Sequence, residues 1–345
     1  MKNIAILMST YNGEKYVEEQ IISIFHQNYD ESQLNLTLYI RDDHSSDSTR
    51  EIIAKLSKKY NIVLDFDGQN LGFAKSFYKL LDKAEADYYF FADQDDVWVP
   101  NKLSLFVDRF NKLENQGQKN IGVFSDAWIA NELAESTGKR LLEARSPRIR
   151  DYKLSFLDQL FEFYAQGASM AVNKRIIEKL LELPFTEIPF KESHDHFIGL
   201  VVSHIGCMSY IHEATLLYRQ TGSNVYGARN DANKSILQRL ESISSRVKTV
   251  QFLLLTAELV SASIGSEVNK GISDELQKLN TKKNIYYATK FFIRYRRYVS
   301  YSNPIIVSLL YGIYFNPNTV LHQQILSLIH RRCPHENNLG TSTKL

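Results

Sequence analysis

Four short apolar runs near the amino terminus alternate with stretches of helical period, and each run gives way to a polar turn. The runs cover residues 4–9, 36–40, 62–66 and 88–92. Between them, residues 16–26, 49–60 and 73–84 repeat apolar positions at helical spacing, as Val17, Ile21, Ile24 and Phe25 do. A strand whose two faces are both covered reads as an unbroken apolar run, because neither face meets water. The strand–helix order therefore predicts a parallel, doubly wound α/β sheet with right-handed crossovers. Pro100 opens a further helix at its favoured first-turn position. Residues 121–125, 166–172 and 208–218 read as later strands, a helix surrounds residues 196–203, and residues 132–147 read as a polar loop.

At 345 residues the chain has room for one large domain with an appended smaller one. A cluster of Gly, Asn and Asp at 225–233 marks the expected boundary. The expected division is residues 1–225, carrying the chemistry, and 226–345, a helical extension. Composition argues against disorder, with 44% hydrophobic and 23% charged residues. Twenty Tyr and 19 Phe against 2 Trp suit a sugar-facing or membrane-facing surface, and equally an aromatic core. The two cysteines, Cys207 and Cys333, form neither a metal spacing nor a disulfide framework, which fits a reducing compartment. The first apolar run is too short for a signal peptide, so the expected location is the cytoplasm.

Ligands of open parallel sheets bind beyond the carboxyl ends of the strands. Three strands end there in polar clusters: Thr10-Tyr11-Asn12-Gly13-Glu14, Asp42-Asp43-His44-Ser45-Ser46-Asp47 and Asp93-Gln94-Asp95-Asp96. Clustered carboxylates repel one another unless a cation joins them, and a hard divalent ion shared with ligand phosphates answers that need. The chain lacks the glycine-rich signatures of dinucleotide-binding and P-loop proteins after its first strand.

Ser9-Thr10-Tyr11-Asn12, Asp42-Asp43-x-Ser-x-Asp47 and Asp93-x-Asp95-Asp96, in this order, resemble the motifs of family 2 glycosyltransferases of GT-A fold, over roughly residues 3–225. The resemblance implies that Thr10, Tyr11, Asn12 and Glu14 flank the base and ribose of a nucleotide-sugar. It implies that Asp43 accepts from N3–H of uracil or thymine, and that Gly72 lies in a second nucleotide loop. By the same resemblance Asp95 holds Mn2+ or Mg2+ across the diphosphate, Asp93 and Gln94 lie by the sugar and ribose, and Asp195 deprotonates the acceptor hydroxyl. His194 stands where the family often has an acidic residue. Gln166 and Gly167 resemble the strand lining the acceptor pocket. Residues 217–225 resemble a segment of bacterial rhamnosyltransferases, with Thr221 in place of a histidine, and Arg219 there could supply charge to the diphosphate.

The implied activity is an inverting transfer, of L-rhamnose from dTDP-rhamnose, onto a saccharide or lipid-linked saccharide in cell-surface polysaccharide synthesis. A UDP-hexose donor is the alternative within the fold. A non-catalytic sugar-nucleotide-binding or scaffold protein is the alternative of another class. Between residues 276 and 335 there is no Asp or Glu, while Lys278, Lys290, Arg294, Arg297 and other cations recur. Tyr287, Phe291, Tyr295 and Tyr298 share one helical face beside those cations, the pattern of a helix in an anionic membrane interface at the inner face of the cell membrane. Residues 304–315 are apolar but too few to span a bilayer, for which about 20 are needed. No RNA-binding motif accompanies the charge, so nucleic acid is not an expected partner; a homo-oligomer is compatible with the sequence.

Overall fold

The computed structural model describes residues 1–142, 153–161, 164–182, 194–221, 275, 278 and 285–296. The chain divides into two units, Met1–Asn230 with Thr256–Ser266, and Asp231–Leu255 with Glu267–Leu345.

In the first unit β1 (Lys2–Thr10), α1 (Val17–Phe25), β2 (Leu34–Asp42), α2 (Thr49–Leu56), β3 (Ile62–Asp65), α3 (Phe73–Lys83) and β4 (Tyr88–Asp93) follow the expected alternation. Then come β5 (Val97–Trp98), α4 (Lys102–Asn115), β6 (Ile121–Ala130), β7 (Ser136–Arg140), β8 (Lys153–Leu154) and α5 (Phe156–Phe161). A short turn at Gly167–Ser169 leads into β9 (Met170–Asn173), α6 (Lys174–Leu181), α7 (His194–Ile205) and β10 (Cys207–Arg219). The sheet order is β3-β2-β1-β4-β9-β6-β10-β5, with β7 on β6 and β8 on β10.

Strands β1 to β4 run parallel, as do β6 and β10. Between them β9 runs antiparallel to both β4 and β6, so the sheet is mixed. The strand expected at 166–172 begins only at Met170, because Gly167–Ser169 is a helical turn. The segment expected as a loop at 132–147 contains β7, a polar strand exposed along nearly its whole length. Its STGKR sequence has no apolar alternation to reveal it.

The continuous apolar runs are explained by two cores. Alternate residues Ile4, Ile6 and Met8 of β1 and Tyr88, Phe90 and Ala92 of β4 pack on one face with α1, α2 and α4. Ala5, Leu7, Tyr89 and Phe91 pack on the other with α3, α6 and α7. Helix α4 contributes Leu103, Phe106, Val107 and Phe110 at helical spacing. Phe110 stacks on Tyr88 at 4.2 Å and 8°, and Phe110→Ala would cost about 3–5 kcal/mol.

From β1 the chain fills β2 and β3 on one side and β4 on the other. That reversal opens a crevice at the carboxyl ends of β1 and β4, where ligands of open sheets bind.

In the second unit α8 (Ile285–Arg294) is described. Its aromatic stripe corrects the expectation of a membrane-facing side: Phe291 and Tyr295 are only 2% and 8% exposed, and Tyr287 is half-buried. An apolar stripe at helical period looks the same in sequence whether lipid or protein covers it. The exposed side carries Tyr286, Lys290, Ile293 and Arg294, and Arg294 pairs with Glu275. Arg297, Tyr298, residues 304–315, Cys333 and segment 222–225 lie outside the described residues. No described helix is long and apolar enough to cross a membrane.

Candidate active site

The strand register assembles the site. Thr10 sits beside Asp42 on β2, and Ser9 beside Asp93 on β4. Thr10 Oγ1 donates to Asp42 Oδ2 at 3.0 Å, and the amide of Asp43 donates to the Thr10 carbonyl at 2.8 Å. Asp42 is buried and also accepts from the Ser45 amide and from Arg50. Its carboxyl is held below the usual carboxylate range, since the hydrogen bonds of Ser45, Arg50 and Thr10 outweigh the opposing effect of burial. It is the pin between the first two strand ends.

The turn after β1 is laced to the turn after β2. The Asn12 amide donates to Ser45 Oγ at 2.9 Å, and Asn12 Oδ1 accepts from the Ser46 amide at 2.9 Å. Asn12 takes φ 46, a left-handed conformation that Asn tolerates better than most residues. Glu14 Oε2 accepts from the Ser48 amide at 2.9 Å, while the Glu14 amide donates to Asp47 Oδ2 at 3.1 Å. Glu14 thus serves the start of α2. Tyr11 projects outward, 51% exposed. Gln94 clamps the Tyr11 backbone from both sides: its Oε1 accepts the Tyr11 amide at 2.9 Å, and its Nε2 donates to the Tyr11 carbonyl at 3.0 Å.

Asp43 is buried and grips the second loop. Its Oδ1 accepts from Arg41 Nη1 at 2.6 Å and the Leu71 amide at 2.7 Å, and its Oδ2 from the Gly72 amide at 2.8 Å. Burial opposes its charge, but those amides and the Arg41 guanidinium prevail and hold its carboxyl low. Gly72 has φ 80, a conformation open mainly to glycine, at the start of α3. Arg41, fully buried, also reaches Asp67 and the Gln69 carbonyl. A buried arginine of this kind was not singled out in the sequence, where it reads as one more surface charge.

Beyond β4 the acidic loop gathers charge under poor solvation. Burial, then the charges of Asp95 and Asp195, push the Asp93 carboxyl up to about 7. Burial raises Asp95 against the pull of its own amide and of Arg219. Asp96 is raised well above the carboxylate range, by burial first and then by Asp95 and Asp93. Lys102, fully buried, lies in the field of Asp96 and Asp93; burial nonetheless pushes its ammonium down to about 7. Among the described residues no three His, Cys, Asp or Glu side chains converge as a closed metal cage. Carboxylates crowded in this way repel one another, a repulsion that a hard cation sharing phosphate oxygens would relieve.

Arg219, 2% exposed at the end of β10, straps this loop. Its Nε donates to the Asp95 carbonyl at 2.7 Å, Nη1 to the Glu132 carbonyl at 2.5 Å and Nη2 to Glu19 at 2.6 Å. Its own amide donates to Asp96 Oδ1 at 3.1 Å.

Across the crevice, Asp195 lies in the first turn of α7. Its Oδ2 accepts from the Gly167 amide at 2.7 Å and its Oδ1 from the His196 amide at 2.9 Å. A Cβ on Gly167 would meet His194 Nε2 at 3.1 Å and Asp195 Cβ at 3.2 Å, so the turn approaches the helix as closely as glycine allows. The Gln166 carbonyl accepts from the Ser169 amide and closes that turn. His194 is buried, stacked on Phe77 at 3.9 Å, with Phe73 and Phe91 around it. Burial lowers its pKa to about 4, so the ring is neutral near pH 7.

One ensemble therefore brings together Thr10 to Glu14, Asp43, Gly72, Asp93 to Asp96 and Arg219, and Asp195 acts electrostatically on Asp93. A separate cavity of about 350 Å³ lies at the amino-terminal ends of β1 and β4, by Lys2, Asp87, Glu114 and Lys174, away from these residues.

The model of glycosyl transferase family 2 matches residues 5–181. The dTDP-rhamnosyl transferase RfbG of Shigella flexneri is 27% identical over 282 residues, covering 76% of this chain and 89% of that one. The GalNAc(5)-diNAcBac-PP-undecaprenol beta-1,3-glucosyltransferase of Campylobacter jejuni is 26% identical over 251 residues, covering 70% and 73%. Among solved structures, S. aureus TarS 1-349 in complex with UDP has a TM-score of 0.56 at 14% identity, over 99% of this chain and 94% of that one. At that identity the likeness is one of fold. Because the family match spans half of the chain, and its strand-end motifs sit together in a GT-A-type crevice, this protein belongs to glycosyl transferase family 2.

Proposed function

We propose that the protein is an inverting transferase that moves L-rhamnose from dTDP-rhamnose onto a lipid-linked saccharide. The observation that carries the reading is the placement of Asp195 by the end of β4: its Oδ2 accepts from the Gly167 amide, and the turn at Gly167–Ser169 leads into β9, which pairs with β4, the strand ending at Asp93. A base and an acidic diphosphate-binding loop facing each other across one crevice suit a single displacement. The Shigella relative's name supports the donor, and the Campylobacter relative's name supports a lipid-diphosphate-linked acceptor.

In this reading Tyr11 and Asn12 flank the base, and Asp43 reads N3–H through Oδ2, which carries one protein donor and keeps a lone pair. Asp93 and Gln94 lie by the sugar and ribose, and Arg219 acts through the Asp95 backbone it holds rather than on the diphosphate directly. Gln166, Gly167 and His194 shape the acceptor side. Asp195, aimed by two amides, takes the proton of the acceptor hydroxyl. The oxygen then bonds to the anomeric carbon from the side opposite the diphosphate. The bond from that carbon to the diphosphate breaks, and its electron pair leaves with the nucleotide. Asp95 would hold a divalent cation, whose Lewis acidity would neutralise the growing charge.

A second reading, a UDP-hexose donor, follows from Asp43 itself, since uracil and thymine present the same N3–H. The exposed side of α8, with Tyr286 and Ile293 beside Lys290 and Arg294, supports a peripheral contact with an anionic membrane. We assign residues 1–225 to the catalytic domain and 226–345 to the membrane-associating extension. Thermal denaturation with dTDP-rhamnose, UDP-hexoses and GDP-sugars, each with and without Mn2+, tests the donor. The largest Mn2+-dependent rise is expected with dTDP-rhamnose. A rise confined to a GDP-sugar would refute the role of Asp43.

A further inference from the structure

Lys102 breaks two rules at once. It is the first residue of α4, where the helix dipole disfavours a cation, and it is fully buried, which is costly for an ammonium group. Residues that violate local rules at such cost tend to sit where function requires them. Its Nζ donates to the Ala168 carbonyl at 2.6 Å and lies 4.3 Å from the centre of the Trp98 ring and 5.6 Å from that of Phe106. The Trp98 ring it covers lies in β5, two residues beyond Asp96 of the acidic loop. Asp96 Oδ2, in the loop ahead of this helix, is buried with no hydrogen-bond partner.

Ala168 adjoins Gly167, the residue whose amide holds Asp195 Oδ2 at 2.7 Å. One side chain thus connects two parts of the site: Trp98, directly after the acidic loop, and the turn that orients Asp195. The glycine's close approach to His194 and Asp195 leaves that turn little freedom, so a shift at Ala168 passes on to the carboxylate.

We propose that Lys102 is a positioning residue for the transfer step, fixing the turn at 166–169 against the acidic loop so that the Gly167 amide aims Asp195 at the acceptor. The inference rests on the reading of Asp195 as the base. Lys102 touches neither nucleotide nor acceptor in this account, so its loss separates turnover from donor binding.

The test is steady-state kinetics of Lys102→Met with the full chain, dTDP-rhamnose and Mn2+, alongside calorimetry of dTDP binding. Misplacing a catalytic group by about 1 Å costs on the order of 100-fold, so kcat should fall by about 10- to 100-fold. Donor KM and dTDP affinity should stay within about threefold of wild type. Lys102→Arg, which keeps the charge and a donor toward Ala168, should recover most of the lost kcat. Wild-type kcat in Lys102→Met overturns the role, as does a parallel loss of kcat and donor affinity, which marks a merely structural residue. If Lys102→Met does not fold, Lys102→Gln is judged by the same two criteria. Absence of transfer by the wild-type protein overturns the transferase reading and this role with it; transfer by wild type and by Lys102→Met alike overturns this role alone.

Discussion

Gly13→Ala is a small change with a calculable consequence. A Cβ on Gly13 would collide with Gln94 Oε1 and lie 2.6 Å from its Cδ. The only way out is for Gln94 to swing aside. Doing so breaks both of its bonds to the Tyr11 backbone, at 2.9 and 3.0 Å. Each such bond is worth about 1 kcal/mol net, so the variant should lose about 1–2 kcal/mol of stability. Gln94→Ala removes the same two bonds and should cost the same. Because both changes act through one pair of bonds, they should not add. The double variant Gly13→Ala/Gln94→Ala should fall within about 0.5 kcal/mol of either single one, where independent effects would sum. Urea denaturation with linear extrapolation measures all three. Affinity for dTDP should drop in step, by up to about tenfold, since Tyr11 loses its anchor. An additive double variant, or a neutral Gly13→Ala, would refute the clamp.

Asp95→Asn should abolish the Mn2+-dependent part of dTDP binding while the fold survives; calorimetry giving unchanged Mn2+-dependent affinity removes Asp95 from the metal site. His194 has its folded pKa depressed from 6.5 to about 4, so the unfolded chain binds the extra proton between those values. Its contribution is therefore complete above pH 6.5 and lost as pH falls toward 4, by up to about 3 kcal/mol. His194→Phe should flatten that part of the stability profile, and urea midpoints at pH 7 and 4.5 that shift equally in both proteins would count against it. Replacing Lys290 and Arg294 by Gln should release much of the protein from anionic vesicles at low salt, at about 1 kcal/mol per cation. Equal flotation of variant and wild type would exclude this face of α8 as the anchor.

The doubly wound core was legible because burial on two faces leaves its mark on every residue of a strand, as in 4–9 and 88–92. The acidic strand ends were legible because clustered carboxylates repel one another unless partners compensate them; Asp42 and Asp43 have theirs in Arg50 and Arg41. Other features depended on partners far away in sequence. Arg41 and Lys102 look like solvated charges until Asp67 and Ala168 arrive beside them. The four residues of β9 carry no sign of their direction, which is set by entering the sheet from the turn at Gly167–Ser169. Segment 167–169 was read as strand because its small residues suit either state; contacts from Asp195 and Lys102 decide for the turn. The stripe of Phe291 and Tyr295 was read as facing a membrane, and is buried, because an apolar stripe does not specify what covers it.

The central claim is a transfer in which Asp195 removes the acceptor proton. Its most direct measurement is the rate of dTDP release coupled to growth of a lipid-linked saccharide by one deoxyhexose, read by mass, in wild type and Asp195→Asn. Wild type should show Mn2+-dependent transfer, and the variant a loss of about 10²–10⁴ at nearly unchanged donor affinity, the usual worth of a general base. Transfer by Asp195→Asn at the wild-type rate would contradict it.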